Sequence, residues 1–207
     1  EPYSGELRAQ WNRWLKNKYS STNELLNAWK WKAVALHDEQ ISEGKFDAPV
    51  SIDGKVWILS EGSSSTTCNV EDDVLKIKVS KEGSNYFPKL FRNVKIKKGE
   101  PYTLSFKVRK AEGEGSTALG LAIADAKSGW RSLGLHQIIN VGKDWKEYSY
   151  SFVATDDSDN AQFQLTRFST GTFDLDDLSF QSGAKELFDK DQSLEKGNIS
   201  SIMTGDF

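Results

Sequence analysis

Groups that many catalytic and metal sites require are scarce in this sequence. Its 207 residues include one cysteine, Cys68, and two histidines, His37 and His136. A single cysteine permits neither an intrachain disulfide nor a thiolate metal cluster. Two histidines nearly exclude a histidine metal site or a Ser-His-Asp arrangement. Because no histidine lies near Cys68 in the sequence, we interpret it as an inert structural thiol.

Basic charge and long apolar runs are lacking as well. The 27 Lys and Arg residues are outnumbered by 30 Asp and Glu residues, which gives a net charge of -3. We therefore expect neither nucleic acid nor an anionic membrane as a partner. No apolar run approaches the roughly 18 residues of a membrane helix. The opening Glu1-Pro2 lacks the features of a signal peptide, so we expect any export signal to be removed or to lie upstream.

The first part of the chain has helical periodicity. Apolar residues recur at helical steps and predict one apolar stripe; they are Leu7, Trp11, Trp14, Leu15 and Tyr19. Ser21 and Glu24 have the spacing of a capping box, which predicts the start of a second helix. We assign residues 1–37 to a helical segment whose apolar faces must dock on the next domain or on a partner.

From about residue 41 to residue 180 apolar and polar residues alternate, as in strands with one buried face. The clearest case is Tyr102, Leu104, Phe106 and Val108. Turn signals separate many short segments of this kind, and no helix intervenes. The sequence therefore predicts a mainly β protein, with an antiparallel sandwich or barrel over residues 38–183. Residues 184–207 are predicted to be a tail or linker whose apolar residues are too sparse for a core of their own.

The last predicted strand contains two adjacent carboxylates, Asp176 and Asp177. The apolar residues before this pair and after it have opposite parity and cannot share one face of an ideal strand; they are Phe173, Leu175, Leu178 and Phe180. A bulge at the two aspartates would reconcile them. The carboxylates need a bound cation or a set of backbone N–H groups to satisfy them.

Three predicted strands have bare or amide-bearing outer faces. The outward residues are Gly120, Ala122 and Ala124 on one strand, Ser132, Gly134 and His136 on another, and Gln162, Gln164 and Thr166 on the third. If these strands are neighbours, they form a shallow trough that suits a flat, neutral, polyhydroxylated ligand. The alternative is an ordinary solvated sheet face.

Aromatic residues near turns favour the ligand interpretation. Trp130 lies in a Gly-containing turn, Tyr86 and Phe87 precede Pro88, and Arg167 lies at the turn before the last strand. An exposed aromatic ring beside a polar trough is a common platform for a sugar ring. By contrast, Trp57 and Trp145 are expected to pack in the core.

Four segments together resemble a known family. They are Gly44-Lys45-Phe46-Asp47, Gly99 to Phe106, Asp144 to Tyr148 and Gly171 to Leu178. In order and spacing they resemble the jelly-roll carbohydrate-binding modules related to families 4, 9, 16 and 22, over about residues 41–182. The resemblance implies a jelly roll with a sugar site on the concave sheet and its rim. The implied carbohydrate-binding residues are Trp130, Tyr86, Phe87, Gln164, Arg167, Gln162 and His136.

The same resemblance implies a structural calcium ion that ties the opening strand to the closing one. Asp47 and Asp176 match the positions that would supply its carboxylates, and hard oxygen ligands suit this ion. The alternative is that the aspartates only accept backbone hydrogen bonds in a turn. One departure from the family is the segment that often carries an aromatic residue followed by glutamine, which here ends in Pro88-Lys89.

A second resemblance concerns the helical segment. Trp11 to Tyr19 followed by Glu24 to Trp29 looks like the segment after the acid/base glutamate of retaining glycoside hydrolases of the family 5 and 42 type. Glu1 would then be a remnant of that catalytic residue, or merely the first residue of this sequence. Retaining chemistry needs two carboxylates about 5–5.5 Å apart on a rigid scaffold. Because two helices supply no such pair, we expect no catalysis by this chain alone.

The leading hypothesis is a noncatalytic module that binds a polysaccharide of the β-glucan, mannan or xylan type and targets a covalently linked glycoside hydrolase. We expect it to be a monomer, outside the cell or on its surface after bacterial-type secretion. The main alternative is a structural or interaction sandwich that binds no sugar and whose trough is covered by the helices or the tail. A third possibility is a part of a hydrolase whose barrel residues come from elsewhere.

Overall fold

The computed structural model describes residues 5–29, 31–47, 56–84, 87–115, 117–185 and 192–199. Within these ranges the chain forms two short helices and then a series of strands. The helices are α1 (Gly5–Lys18) and α2 (Thr22–Ala28). The strands are β1 (Val34–His37), β2 (Ile58–Ser60), β3 (Ser65–Glu71), β4 (Val74–Lys81), β5 (Lys89–Ile96), β6 (Pro101–Glu112), β7 (Thr117–Asp125), β8 (Arg131–Val141), β9 (Lys146–Val153), β10 (Ser158–Thr166) and β11 (Gly171–Ala184).

The strands form two antiparallel sheets. One sheet has the order β3-β4-β11-β6-β9, with β1 added to β11, and the other has the order β2-β5-β10-β7-β8. Neighbours in a sheet are mostly not neighbours in sequence, as expected when strands cross between two packed layers. The apolar faces of both sheets meet in one core centred on residues such as Trp57, Phe106 and Phe163. The prediction of an antiparallel β-sandwich is therefore confirmed.

Strand β11 has the predicted bulge. Its register against β6 shifts between Asp176 and Ser179, and Asp177 has a left-handed backbone with φ of 48°. The extra residue turns the side chains that follow it back towards the core. All four apolar residues on either side of the bulge are therefore buried; they are Phe173, Leu175, Leu178 and Phe180. Parity alone was sufficient to locate this irregularity.

The last four residues assigned to the helical segment form a strand. Residues 34–37 were assigned to the helices, but β1 pairs with the end of β11, with Val34 opposite Ala184 and His37 opposite Ser182. Three of its four side chains are exposed. Such a strand shows no alternation of apolar and polar residues in the sequence. The backbone hydrogen bonds that pair it with β11 do not depend on its side chains.

The predicted tail is also not separate from the helices. Leu194 and Ile199 are buried against Leu15 of α1 and Leu25 of α2, in a second cluster that shares no residue with the sandwich core. The side chain of Asn12 reinforces it, because its amide donates to Ile199 O at 2.9 Å and accepts from Ile199 N at 2.9 Å. We name α1, α2 and residues 192–199 the helical cluster.

The helical cluster has the predicted helix cap but only part of the predicted apolar stripe. The cap of α2 is confirmed, because Ser21 Oγ accepts a hydrogen bond from Glu24 N at 3.1 Å. The single apolar stripe of α1 is only partly correct, since Leu7 and Trp14 are exposed while Leu15 is buried. Neither of the described helices is long and apolar enough to cross a membrane.

Candidate functional site

The three strands with bare outer faces are direct neighbours. Strand β7 lies between β8 and β10, and its residue Ala122 is opposite His136 on one side and Gln164 on the other. Two residues along β7, Gly120 is opposite Thr166. Leu121 and Leu165, which alternate with these residues, are buried in the core. The predicted trough is therefore a continuous strip of the five-stranded sheet, floored by backbone and methyl groups and edged by polar side chains.

Trp130 stands at one rim of this strip because of the hairpin between β7 and β8. A short 3₁₀ turn, Ala126–Ser128, is capped by the Asp125 carboxylate, which accepts from Lys127 N at 2.9 Å. Gly129 and Trp130 both adopt left-handed conformations, with φ of 69° and 65°. A tryptophan rarely adopts this backbone conformation. Here it leaves the indole 53% exposed, the largest exposure of the tryptophans in the described residues.

Arg167 lies at the end of the strip, immediately after β10. Its φ of 66° turns the chain out of the sheet, and its side chain folds over Gly120. A Cβ atom at position 120 would lie 2.6 Å from Thr166 Oγ1 and 3.3 Å from Arg167 Cδ. A larger residue at this position of the floor would therefore have to displace the Thr166 and Arg167 side chains.

Lys89, which the sequence analysis did not assign to the site, lies at the rim next to Trp130. Its Nζ atom is 4.0 Å from the centre of the Trp130 ring and 4.5 Å from that of Phe91. Such distances are those of cation–π contacts. Burial lowers the pKa of Lys89 from its ordinary value. Its neighbour Leu90 is buried, so the alternation of β5 was the signal that could have placed Lys89 on the outer face.

These residues enclose a groove of about 440 Å³, within the usual size range of ligand pockets. We name it the sheet groove; its lining residues are Phe87, Lys89, Gly120, Leu121, Ala122, Ala124, Trp130, His136, Gln164, Thr166 and Arg167. Five of the predicted sugar-binding residues are thus brought together. No residue of the helical cluster, as far as the structure describes it, is among them.

The other predicted site residues are placed differently. Gln162 lies beside the sheet groove and accepts a hydrogen bond from Gln164 Nε2 at 3.1 Å, so it orients that amide. Tyr86 and Glu1 lie outside the described residues. Roles in binding for all of these side chains stay predictions.

A larger concavity, of about 560 Å³, lies on the opposite sheet. Its charged side chains already pair with one another, for example Lys76 with Asp72 at 2.8 Å and Arg109 with Asp174 at 2.7 Å. Trp145, which we expected in the core, is 38% exposed here, because Arg109 rather than the core covers its ring at 4.8 Å. Since these charges neutralise one another, this surface is less suited than the sheet groove to a polyhydroxylated ligand.

The two predicted calcium ligands, Asp47 and Asp176, both lie in the described residues. Asp47 is exposed, and nowhere in the described ranges do three His, Cys, Asp or Glu side chains form a metal-binding group. Asp176 accepts from Asp177 N at 2.7 Å, and Asp177 pairs with Lys107 at 2.6 Å. Burial is the main cause that raises the pKa of Asp176. These contacts agree with the alternative of aspartates that satisfy a turn.

Direct hydrogen bonds already join the opening and closing segments. Gly44 O accepts from Leu178 N at 2.9 Å, and Gln40 N donates to Phe180 O at 2.9 Å. The Glu39 carboxylate accepts from Phe180 N at 2.9 Å and from Ile41 N at 2.8 Å. These hydrogen bonds hold the two ends of the sandwich together.

Solved structures with the same fold include several carbohydrate-binding modules. A CBM4 structure is 18% identical, with a TM-score of 0.61 over 69% of this chain and 99% of that chain. The CBM22-1–CBM22-2 tandem of Paenibacillus barcinonensis Xyn10C is 11% identical, with a TM-score of 0.51 over 78% and 49%. The CBM22-1–GH10 modules of Clostridium thermocellum Xyn10B, in complex with xylohexaose, are 17% identical, with a TM-score of 0.50 over 70% and 29%. At these identities the likeness establishes the fold alone.

Sequence comparison gives the family. No curated protein sequence matches the chain. The family model of a carbohydrate binding domain, CBM types 4 and 9, matches residues 38–169, which is well over half of the chain and includes every residue that lines the sheet groove. The chain therefore belongs to the carbohydrate binding domain family, and its sandwich is a noncatalytic polysaccharide-binding module.

Proposed function

We propose that the sheet groove is the binding site and that it holds a short stretch of a polysaccharide chain. The observation that carries this proposal is a groove in the sheet whose floor includes the small side chain of Ala122, beside the exposed Trp130. A sugar ring stacks its C–H surface on an aromatic face, while amide and hydroxyl groups exchange hydrogen bonds with its hydroxyls. Gln164 and Thr166, which line the sheet groove, would supply these groups.

The rival hypothesis is a structural or interaction domain that binds no sugar. It requires the trough to be covered by the helices or the tail. Strand β11 begins shortly after Arg167, near the sheet groove, and ends at Ala184. At this far end it pairs with β1, which the chain reaches directly from α2 of the helical cluster. Trp31 of this connection donates its indole N–H to Lys185 O at 3.3 Å. Because the helical cluster lies at the far end of β11, its described residues leave the groove open, which favours binding.

Affinity electrophoresis against soluble neutral and acidic polysaccharides tests the proposal. We expect at least one polymer to retard the wild-type protein, and Trp130→Ala to weaken that binding by about tenfold or more, as for a tryptophan at the centre of an interface. The matched control is Trp145→Ala, which removes an exposed tryptophan from the opposite sheet and should leave binding unchanged. Retardation by no polymer would instead support the structural domain.

The module's partner and location follow as proposals from the same function. A noncatalytic module raises the local concentration of an attached glycoside hydrolase on an insoluble substrate. We infer that the hydrolase is covalently linked, that the protein acts outside the cell and that the module is a monomer. Denaturing and native mass measurements of the protein secreted by its native source would test all three, since linkage predicts a longer chain and a monomer has the same mass in both measurements.

Calcium binding at Asp47 and Asp176 stays a proposal with its own test. Thermal unfolding is compared with excess calcium and with a chelator, in the wild type and in Asp176→Asn. A rise in Tm with calcium that disappears in the variant supports the site, because an ion bound only by the folded state stabilises it. Equal melting temperatures with calcium and with chelator contradict it.

A further inference from the structure

Two polar residues that line the sheet groove are buried although they lie on the outer face of the sheet. Gln164 and Thr166 belong to β10 and alternate with the core residues Phe163 and Leu165, yet they are only 8% and 9% exposed. Outward side chains on an uncovered sheet face are normally solvated. Other side chains therefore cover this part of the groove.

The contact between Lys89 and Trp130 forms part of the cover. Lys89 of β5 lies level with Thr166 of β10, whereas Trp130 follows the end of β7, which is level with Ala161. Strands β5 and β7 lie on either side of β10, and the two levels are about 16 Å apart along that strand. Because Lys89 Nζ is nevertheless 4.0 Å from the centre of the Trp130 ring, the two side chains meet above the outer face of β10.

Arg167 covers the adjoining part of the groove. The point that a Cβ of Gly120 would occupy is 3.3 Å from Arg167 Cδ and 3.5 Å from Arg167 Nε. Gly120 alternates with the buried Leu119 and Leu121, so this point lies on the outer face of β7. The side chain of Arg167 therefore lies on the sheet at one end of the groove.

The side of the groove towards β8 differs from these covered sides. Strand β8 is the last strand of its sheet, and in the described part of the chain it contributes only His136 to the lining. His136 is exposed, as is Ile138, the next outward residue of the strand. His136 is opposite Ala122 on the floor. The groove is therefore a pocket that opens at the β8 edge and is closed towards β5.

We propose that the sheet groove binds the end of a polysaccharide chain rather than its interior, with the terminal sugar over Ala122 and the rest of the chain leaving past His136. This inference rests on the proposed function and specifies which part of the polymer is bound. A chain bound by its interior continues in both directions and would have to displace the Lys89–Trp130 contact, which loses the cation–π attraction. A chain end continues in one direction only and leaves this contact intact.

A terminal sugar also has a hydroxyl group where an internal sugar has a glycosidic bond. Gln164 can recognise such a group at the covered end of the pocket. It donates one amide N–H to Gln162 Oε1 at 3.1 Å, and its amide has a second N–H and a carbonyl oxygen for a ligand. A site that hydrogen-bonds a hydroxyl group discriminates strongly against a ligand without it.

The test measures how much protein each gram of polymer binds at saturation, by isothermal titration calorimetry. A β-glucan, a mannan, a xylan and a polygalacturonate are each used intact and after partial cleavage by an endo-acting hydrolase, which multiplies the chain ends at constant mass. We expect the capacity of a polymer that binds to rise by the same factor as the number of its ends. Borohydride reduction of the cleaved polymer then identifies the end, because it removes binding at the reducing end and leaves binding at the non-reducing end unchanged.

Variants test whether Lys89 closes the pocket. Lys89→Ala removes one of the two side chains that meet above β10, so the interior of an intact polymer should gain access and the capacity should no longer follow the number of ends. Lys89→Arg keeps a cation that can contact Trp130 and should behave as the wild type. The matched control is Lys78→Ala, which removes an exposed lysine from the opposite sheet and should leave the capacity unchanged.

The outcomes distinguish this inference from the proposed function. If cleavage leaves the capacity per gram of a bound polymer unchanged, the protein binds chain interiors, so the inference is refuted and the binding function stands. The inference is also overturned if Lys89→Ala still follows the number of ends as the wild type does, because the Lys89–Trp130 contact then does not close the groove. If no polymer binds the wild type, the binding function itself fails.

Discussion

At the scale of single residues, Lys89 determines how Trp130 can be used. One face of the indole lies under the Lys89 ammonium at 4.0 Å. A sugar ring that stacks on Trp130 must therefore use the opposite face, with the cation behind the indole rather than between ring and sugar. Because an ammonium and a π face attract each other, Lys89 also restrains the indole, and removing its charge should loosen the position of the Trp130 ring.

Cys68 carries a prediction at the same scale. Its residue in β3 is opposite Ile77 and packs against the sandwich core, and burial raises the pKa of the thiol from 9.0 to about 12. Since only the thiolate reacts, at about 0.01% of the thiol at pH 8, the folded protein should react very slowly with Ellman's reagent. Unfolding in guanidinium chloride should restore ordinary reactivity.

The control for this measurement is Cys68→Ser, which should give no signal in either state. Comparable reaction rates for the folded and unfolded wild-type protein would contradict the assignment of an inert, partly buried thiol.

At the scale of elements, the bulge in β11 depends on a glycine in another segment. Gly44 lies so close to the strand that a Cβ atom at this position would be 1.7 Å from Leu178 O. Gly44→Ala must therefore displace the backbone at the bulge and should destabilise the sandwich by about 2–3 kcal/mol. Urea unfolding, followed by tryptophan fluorescence, measures the change.

Gly142→Ala is the matched control for this substitution. An added Cβ at Gly142 meets no atom within 4 Å, so its unfolding midpoint should stay close to that of the wild type. If Gly44→Ala and Gly142→Ala unfold at the same urea concentration, the close approach at Leu178 is not a constraint on the fold.

Much of the sandwich could be predicted because its signals are local. Alternation identified the long strands, and a change of parity located the bulge at Asp176. The same alternation assigned Gly120 and Gln164 to the outer face. The adjacency of β7 and β10 could not be derived, because it depends on how strands far apart in sequence cross between the sheets.

The features that the sequence did not predict have no local pattern in the sequence. The exposed strand β1 has no alternation, and Trp145 is covered by a single arginine from another strand. The helical cluster depends on Asn12 and Ile199, whose contact spans 187 positions of sequence. Lys89 belongs to the segment that departs from the family's aromatic-glutamine motif. Its position between the Phe91 and Trp130 rings, however, follows only from the packing of β5 against the turn that carries Trp130.

At the scale of the whole molecule, two separate cores predict two unfolding steps. The helical cluster has four buried apolar residues and the sandwich core has many more, so the helical cluster should unfold at a lower denaturant concentration. Asn12→Asp replaces the amide that donates to Ile199 O by an acceptor. It should destabilise the first step by about 1–3 kcal/mol, the cost of an unsatisfied buried carbonyl, and leave the second unchanged.

Hydrogen exchange resolved along the chain measures both steps, because the amides of α1 and α2 should lose protection before those of β6 and β11. Asn17→Asp makes the same chemical change at an exposed position of α1 and serves as the control. A single transition in which all amides exchange together would contradict the two-core description.

The contact between Asn12 and Ile199 also determines how the molecule carries tension. If neighbouring domains pull on the chain before α1 and after Ile199, the load falls first on these two hydrogen bonds, since both partners lie outside the sandwich. Four buried apolar side chains resist less force than the ladders that join β11 to β1, β4 and β6. Under such a force the helical cluster would therefore unfold and extend first, while the sandwich stays folded and the groove stays bound to an immobile polymer.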